Sequence, residues 1–217
     1  MVFARMTKLL DVKLHTHNLF STPILRAEIP DAERINSALR QLILQRMRQH
    51  PSTQHSNLGG WQSTWDLAEW GGEAAGEILG HAVAIANQVT CDRQGQPTTI
   101  DWKINAWANV NGPGHSNEFH THPGSFWSGT YYVDDGDIAQ NSDCGGEFEM
   151  QDPRGVAPAM YAPSLAFRVP GGLSVGASEL TSPTAGHLLL FPAWLSHGVR
   201  PYRGTKQRVS VAFNLSV

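Results

Sequence analysis

Two identical His-Thr-His tripeptides, at positions 15–17 and 120–122, are the sequence features best suited to metal chemistry. On a β-strand, residues i and i+2 project from one face, so either pair could present two imidazoles to one ion. The chain has ten histidines, so a pair alone is weak evidence and its context must decide. The first pair has no strand pattern beside it and is expected on the surface. The second follows a strand with one polar face, which makes His120 and His122 the candidate ligands.

A third histidine and an arginine lie in a second region of the chain. His197 follows an apolar stretch, Arg208 comes later, and Ser210 would share a strand face with Arg208. The planar guanidinium of arginine is suited to holding a carboxylate. From Leu180 to Val217 there is no Asp or Glu, so an arginine buried there would need an external anion as its partner. The pattern therefore indicates a site for an acidic small molecule.

The order of these residues resembles that of the Fe(II)- and 2-oxoglutarate-dependent oxygenases, in particular members related to the prolyl hydroxylases. Their pattern is HxD or HxE, then a distant His, then Arg-x-Ser on a later strand. The resemblance spans residues 100–217, and the SNLGGWQS segment at 56–63 is also similar. It implies that His120 and His197 bind Fe(II), that 2-oxoglutarate chelates the iron with its far carboxylate on Arg208, and that O₂ takes the remaining position.

His122 departs from the family pattern, which has Asp or Glu at that position. With His122 as a ligand, the metal would be held by three neutral imidazoles, one negative charge fewer than in the usual triad. Such a site should bind the dianionic cosubstrate no worse. Glu118 lies two residues before His120 and would share its side of a regular strand, so it is an alternative anionic ligand.

The resemblance also implies which residues contact the cosubstrate. Arg208 and Ser210 would hold its far carboxylate, and the phenol of Tyr132, in the SGTYYV segment, would contact the same group. Asn111 lies on the polar face of the strand before His120, where it would either line the pocket or face solvent.

The implied activity is hydroxylation of an unactivated C–H bond, with succinate and CO₂ as co-products. Two other functions fit the same residues. One is a cupin-type dioxygenase that uses three histidines and no 2-oxoglutarate. The other is a non-catalytic jelly-roll module that holds Zn²⁺ or Ni²⁺, which neutral imidazoles bind more tightly than Fe(II).

Helical periodicity marks the first part of the chain and strand periodicity the rest. A helix is predicted over 31–49, and a second helical pattern runs from 78 to 89. After Pro97 apolar and polar residues alternate, which predicts a long strand over 100–111. Further short strands are predicted at 128–133, 146–150, 165–169, 186–191 and 208–215.

Helices followed by many antiparallel strands predict a mainly-β protein, a barrel or jelly roll with N-terminal helices packed on the outside. The resemblance narrows this to a cupin-like double-stranded β-helix. At 217 residues a single domain is expected. Residues 1–97 would form a mainly helical support, and residues 98–217 the β-helix core.

Charge and hydropathy exclude several kinds of partner. A net charge of -3 gives no cationic field for nucleic acid. The apolar runs are far shorter than the roughly 20 residues that span a bilayer, so no membrane partner is expected. The first residues contain no signal-like apolar run before Asp11, and a cytoplasmic protein is expected. The expected partners are 2-oxoglutarate and O₂, and the helical N-terminal part could serve as a homodimer surface.

Overall fold

A computed structural model describes residues 15, 17, 19–155 and 178–217 of the chain. Its helices are α1 (Ala32–Gln49), the one-turn α2 (Leu67–Trp70) and α3 (Gly72–Val89). The helix predicted over 31–49 is therefore confirmed as α1, and the second helical pattern belongs to α3. No helix in the described part of the chain combines the length and the apolar character needed to cross a bilayer.

Within the described residues the larger sheet has six strands, and every neighbouring pair in it is antiparallel. In spatial order they are β1 (Leu25–Glu28), β9 (His187–Pro192), β6 (Trp127–Asp134), β11 (Arg208–Ser216), β4 (Lys103–Asn111) and β3 (Trp61–Gln62). The predicted strands at 100–111, 128–133, 186–191 and 208–215 are confirmed as β4, β6, β9 and β11. Both helices longer than one turn pack on the outer face of this sheet, as predicted.

The smaller sheet is also antiparallel, and the part of the chain that the structure describes contributes five strands to it. Their order is β2 (Asn57–Leu58), β5 (Ser116–His120), β10 (His197–Val199), β7 (Phe148–Gln151) and β8 (Ser178–Thr181). The strand predicted at 146–150 is β7, and the one predicted at 165–169 lies outside the described residues. The inner faces of the two sheets pack together, because Phe148 and Met150 of β7 form one apolar cluster with Leu189 and Phe191 of β9.

The two faces of β11 have different surroundings because side chains alternate along a strand. One face is completely buried in the cluster shared with the helices, and it consists of Val209, Val211, Phe213 and Leu215. The other face points into the space between the sheets, and it consists of Arg208, Ser210, Ala212 and Asn214. This alternation places polar groups in a pocket and anchors their strand in the core.

Gly129 of β6 sits directly opposite Phe213 of β11 and leaves no room for a side chain. A Cβ at this position would collide with the Phe213 ring and lie 2.6 Å from the Leu189 carbonyl oxygen. We expect Gly129→Ala to lower the free energy of unfolding by about 1–3 kcal/mol, the usual cost of overpacking. Urea denaturation measures this change. Gly80→Ala is the matched control, because nothing lies within 4 Å of its Cβ position on α3, and it should stabilise the protein by about 0.5–1 kcal/mol.

Candidate functional site

His120 and His197 face each other on neighbouring strands of the smaller sheet. They are register partners where β5 ends and β10 begins, and their ring centroids are 4.4 Å apart. The Nδ1 of His120 lies 2.8 Å from the Glu118 carbonyl oxygen, and the Nδ1 of His197 lies 2.8 Å from the Leu195 carbonyl oxygen. A carbonyl only accepts, so each Nδ1 carries the proton and donates it. The Nε2 of each ring therefore carries the lone pair, and this is the atom that can bind a metal.

His122 reaches the same place from the turn that follows β5. Its backbone N–H donates to the Ala193 carbonyl at 2.9 Å, which fixes the turn against the segment between β9 and β10. Its Nε2 lies 3.3 Å from the Nε2 of His197. The three histidines each offer a ring nitrogen within 4.8 Å of the others, and they form the only such group of three among the described residues. This donor set fits a divalent transition metal such as Fe(II), which accepts imidazole ligands.

Burial keeps all three imidazoles neutral at physiological pH. It lowers the pKa of His122 to about 4 and that of His197 to about 3, and the neighbouring His120 adds to both shifts. The pKa of His120 is also lowered, again mainly by burial. A neutral imidazole keeps one ring lone pair, so the cluster can bind a cation without any net loss of protons.

Glu118 does not join this cluster with its carboxylate. Its side chain is exposed, and its backbone carbonyl accepts the Nδ1–H of His120. The group of three possible ligands contains His122 and no carboxylate. A regular strand would place the Glu118 and His120 side chains on one side, whereas the pairing of β5 with β10 shifts register between His197 and Val199.

The polar face of β11 forms the floor of the pocket next to the histidines. Arg208 pairs with Asn111 of β4, and Ser210 pairs with Tyr132 of β6. All four side chains are buried, with Arg208 only 3% exposed. The Arg208 Nη1 donates to the Asn111 Oδ1 at 3.4 Å, and its guanidinium carbon lies 5.4 Å from the centroid of the Tyr132 ring. The structure therefore brings together all four residues predicted to contact a cosubstrate.

Arg208 is a buried cation without a carboxylate partner. None of the ion pairs in the described part of the chain includes it. Its Nε and the Tyr132 hydroxyl are buried and make no hydrogen bond of ordinary geometry with a described residue, although the phenol and the guanidinium are close enough to interact electrostatically. Burial lowers the pKa of Arg208 and raises the pKa of Tyr132. Because a buried, unpaired charge is costly, this end of the pocket favours an anionic ligand.

Three further residues contact the histidines and were not recognised as site residues from the sequence. The Ser56 Oγ lies 3.4 Å from the His120 Nε2, the Trp107 ring centroid lies 5.9 Å from that of His122, and the Asn214 Nδ2 lies 3.3 Å from the His122 Nδ1. Asn214 could have been found by continuing the alternation Arg208, Ser210, Ala212 by one step. Ser56 begins the SNLGGWQS segment, but nothing in its spacing links it to His120.

The fold is similar to that of solved prolyl hydroxylases. A Pseudomonas putida prolyl-4-hydroxylase matches with a TM-score of 0.63 and 14% identity, over 90% of this chain and 93% of that one. A prolyl hydroxylase from Trichoplax adhaerens, solved with a hypoxia inducible factor peptide fragment, matches with a TM-score of 0.62 and 14% identity. The match covers 89% of this chain and 83% of that one. HygX from Streptomyces hygroscopicus, solved with nickel and 2-oxoglutarate, matches with a TM-score of 0.55 and 9% identity, over 90% of this chain and 83% of that one. At these identities the likeness establishes the double-stranded β-helix fold.

Comparison of the sequence with family models identifies a family as well as a fold. No match was found among curated proteins. A family model described as "Putative 2OG-Fe(II) oxygenase" matches residues 105–214, which is just over half of the chain. The matched region contains the three clustered histidines and Arg208. The chain therefore belongs to the 2OG-Fe(II) oxygenase family, oxidoreductases that use Fe(II) and 2-oxoglutarate.

Proposed function

We propose that this chain hydroxylates an organic substrate, consuming O₂ and 2-oxoglutarate and releasing succinate and CO₂. Iron and 2-oxoglutarate, when bound, supply the oxidation: one oxygen atom enters the C–H bond of the substrate and the other enters succinate. His120, His122 and His197 are the proposed metal ligands. The observation that carries the proposal is the position of three neutral imidazoles beside a buried, unpaired arginine in one pocket.

The proposed role of the histidines is to bind the metal through nitrogens whose direction is fixed. The carbonyls of Glu118 and Leu195 accept the Nδ1–H groups of His120 and His197, so these rings need little reorganisation to present Nε2. His197 also packs against both Phe148 and Phe191, with ring centroids 5.1 Å and 4.6 Å away. This packing restricts the ring and shields one side of the metal position from water.

The proposed role of Arg208 is to bind the far carboxylate of 2-oxoglutarate. Its guanidinium offers a planar set of donors, and the Nε is unused within the described residues. The Ser210 and Tyr132 hydroxyls can donate to the same carboxylate. The Asn111 Oδ1 accepts a hydrogen bond from the Arg208 Nη1. Binding of the acid would therefore satisfy several buried polar groups at once.

Anaerobic titration tests this proposal directly. The Fe(II)-loaded protein is mixed with 2-oxoglutarate, and we expect a visible charge-transfer band that saturates with the acid. In air, succinate should form at a rate proportional to enzyme concentration. A spectrum that does not respond to 2-oxoglutarate would contradict the proposal. Oxygen consumption without 2-oxoglutarate would instead support the cupin-type reaction, which the three-histidine cluster keeps as a second candidate.

Replacing Glu118 with glutamine separates the two candidates for the third ligand. We expect Glu118→Gln to change Fe(II) affinity by less than about threefold, because an exposed carboxylate outside the cluster is well screened by water. His122→Ala should weaken binding by on the order of 100-fold, which corresponds to about 3 kcal/mol for one lost ligand. Isothermal titration under argon measures both. The reverse ranking would make Glu118 the ligand.

A further inference from the structure

A hydrogen-bonded chain of three side chains ends on His122. Ser128 of β6 and Asn214 of β11 are register partners, and the Ser128 Oγ lies 2.8 Å from the Asn214 Oδ1. The amide nitrogen of Asn214 in turn lies 3.3 Å from the His122 Nδ1. His122 thus differs from His120 and His197, whose Nδ1 atoms face backbone carbonyls that can only accept.

With the Asn214 amide oriented as in the structure, one complete assignment of protons follows. The Asn214 amide donates to the His122 Nδ1, so the His122 ring proton is on Nε2. That Nε2–H points at the His197 Nε2, 3.3 Å away, which is an acceptor because the His197 Nδ1 donates to Leu195. The Ser128 hydroxyl donates to the Asn214 Oδ1. In this assignment the His122 Nε2 cannot bind a metal.

Turning the amide over gives a second complete assignment with almost no movement of heavy atoms. The Oδ1 then faces the His122 Nδ1 and accepts its proton, and the Nδ2 donates to the Ser128 Oγ. The Ser128 hydroxyl can donate instead to the Phe213 carbonyl, 3.5 Å away. The ring keeps one proton, which moves from Nε2 to Nδ1 by exchange with water. The Nε2 lone pair then points toward the other two histidines.

We propose that Asn214 is a positioning residue that sets the tautomer of His122, and that its amide must turn over for His122 to bind the metal. The inference rests on the proposed function, since it requires His122 to be a ligand. The Asn214 amide and the Ser128 hydroxyl can each donate or accept a hydrogen bond. Every polar atom of the hydrogen-bonded chain therefore has a partner in either assignment. Such outer partners typically change metal affinity by 10- to 100-fold.

The test uses the intact protein and Co(II) or Zn(II) alone, without substrate or turnover. Asn214→Leu keeps the approximate size of the side chain and removes both hydrogen bonds, and we expect it to weaken Co(II) binding by about 10- to 100-fold. Asn105→Leu is the matched control, because Asn105 pairs with Asn214 across β4 and β11 but is exposed. It should bind Co(II) like the unmodified protein.

Nitrogen NMR of the histidine rings provides a readout that a purely structural role would not change. In the Zn(II)-loaded protein, His122 should be bound through Nε2 and carry a solvent-protected proton on Nδ1. Asn214→Asp offers only acceptors and should keep that protonated Nδ1, whereas Asn214→Leu should lose the protection. The Asp variant remains informative if the Leu variant does not fold.

The two proposals fail in different ways. If His120→Ala does not weaken Co(II) binding, the metal site itself is wrong. If His120→Ala weakens binding but Asn214→Leu binds as tightly as Asn105→Leu, the role of Asn214 is overturned and the metal site stands. Zn(II) bound to the His122 Nδ1 would also overturn the role of Asn214.

Discussion

Replacing His120 with alanine is expected to weaken Fe(II) binding by on the order of 100- to 1000-fold. Structural zinc sites provide roughly 10–16 kcal/mol from four ligands, or about 2.5–4 kcal/mol for each ligand lost. Two histidines would remain, and water would have to take the third position. Anaerobic competition with a chromophoric chelator measures the change. Fold stability should change little, because His120 lies at the end of β5 and is only partly buried.

His187→Ala is the matched control for this experiment. His187 lies in β9, its Nδ1 also contacts a carbonyl two residues earlier, and it does not belong to the cluster. It should leave Fe(II) affinity unchanged. His197→Ala should weaken Fe(II) binding as much as His120→Ala, and it should also lower the free energy of unfolding by about 2–4 kcal/mol, because its buried ring packs against Phe148 and Phe191. Equal Fe(II) affinity in His120→Ala and His187→Ala would refute the ligand assignment.

The second large effect is expected at Arg208. Arg208→Met should weaken 2-oxoglutarate binding by roughly 30- to 1000-fold, because removing one partner of a buried charge pair costs about 2–4 kcal/mol. Fe(II) affinity should stay the same, since the guanidinium is not a ligand. The unliganded variant should be at least as stable as the original, because a buried, unpaired charge is removed. Titration of the Ni(II)-substituted protein measures binding without turnover.

Arg203→Met tests whether the effect is specific to the pocket. Arg203 lies five residues earlier, is exposed, and donates to the Asp143 carbonyl. It should bind 2-oxoglutarate normally. If both methionine variants bind the acid equally well, the far carboxylate is held elsewhere and the proposed cosubstrate site is wrong.

The long elements could be predicted from the sequence because periodicity is averaged over many residues. Eighteen residues of α1 and nine of β11 repeat their burial pattern several times. The short strands β5 and β10 were not predicted. Neither were β1, β2 and β3, so the part before residue 97 is less uniformly helical than its pattern indicates. Two of these strands have only two residues each, too few to show an alternation, and they exist because β4 and β5 offer them a free edge.

The candidate ligands could be predicted because their residue types and order are distinctive, but their geometry could not. If His120 and His122 belonged to one regular strand, they would lie on the same face of it. In the structure β5 ends at His120, and His122 is brought back by a turn tied to Ala193. The His120 and His122 rings are nearly perpendicular, with an interplanar angle of 81°. Contacts such as Ser56 with His120 join distant parts of the chain and leave no signal in local spacing.

The strict alternation along β11 makes folding and chemistry inseparable in this strand. A shift of β11 by one residue against β4 and β6 would exchange the two faces, carrying the Arg208 guanidinium into the apolar layer under α1 and α3 and the valines into the pocket. Point substitutions on the pocket face of β11 can therefore alter the site and leave the core in place. A register shift of one residue in this strand would disrupt both the folding and the activity of the enzyme.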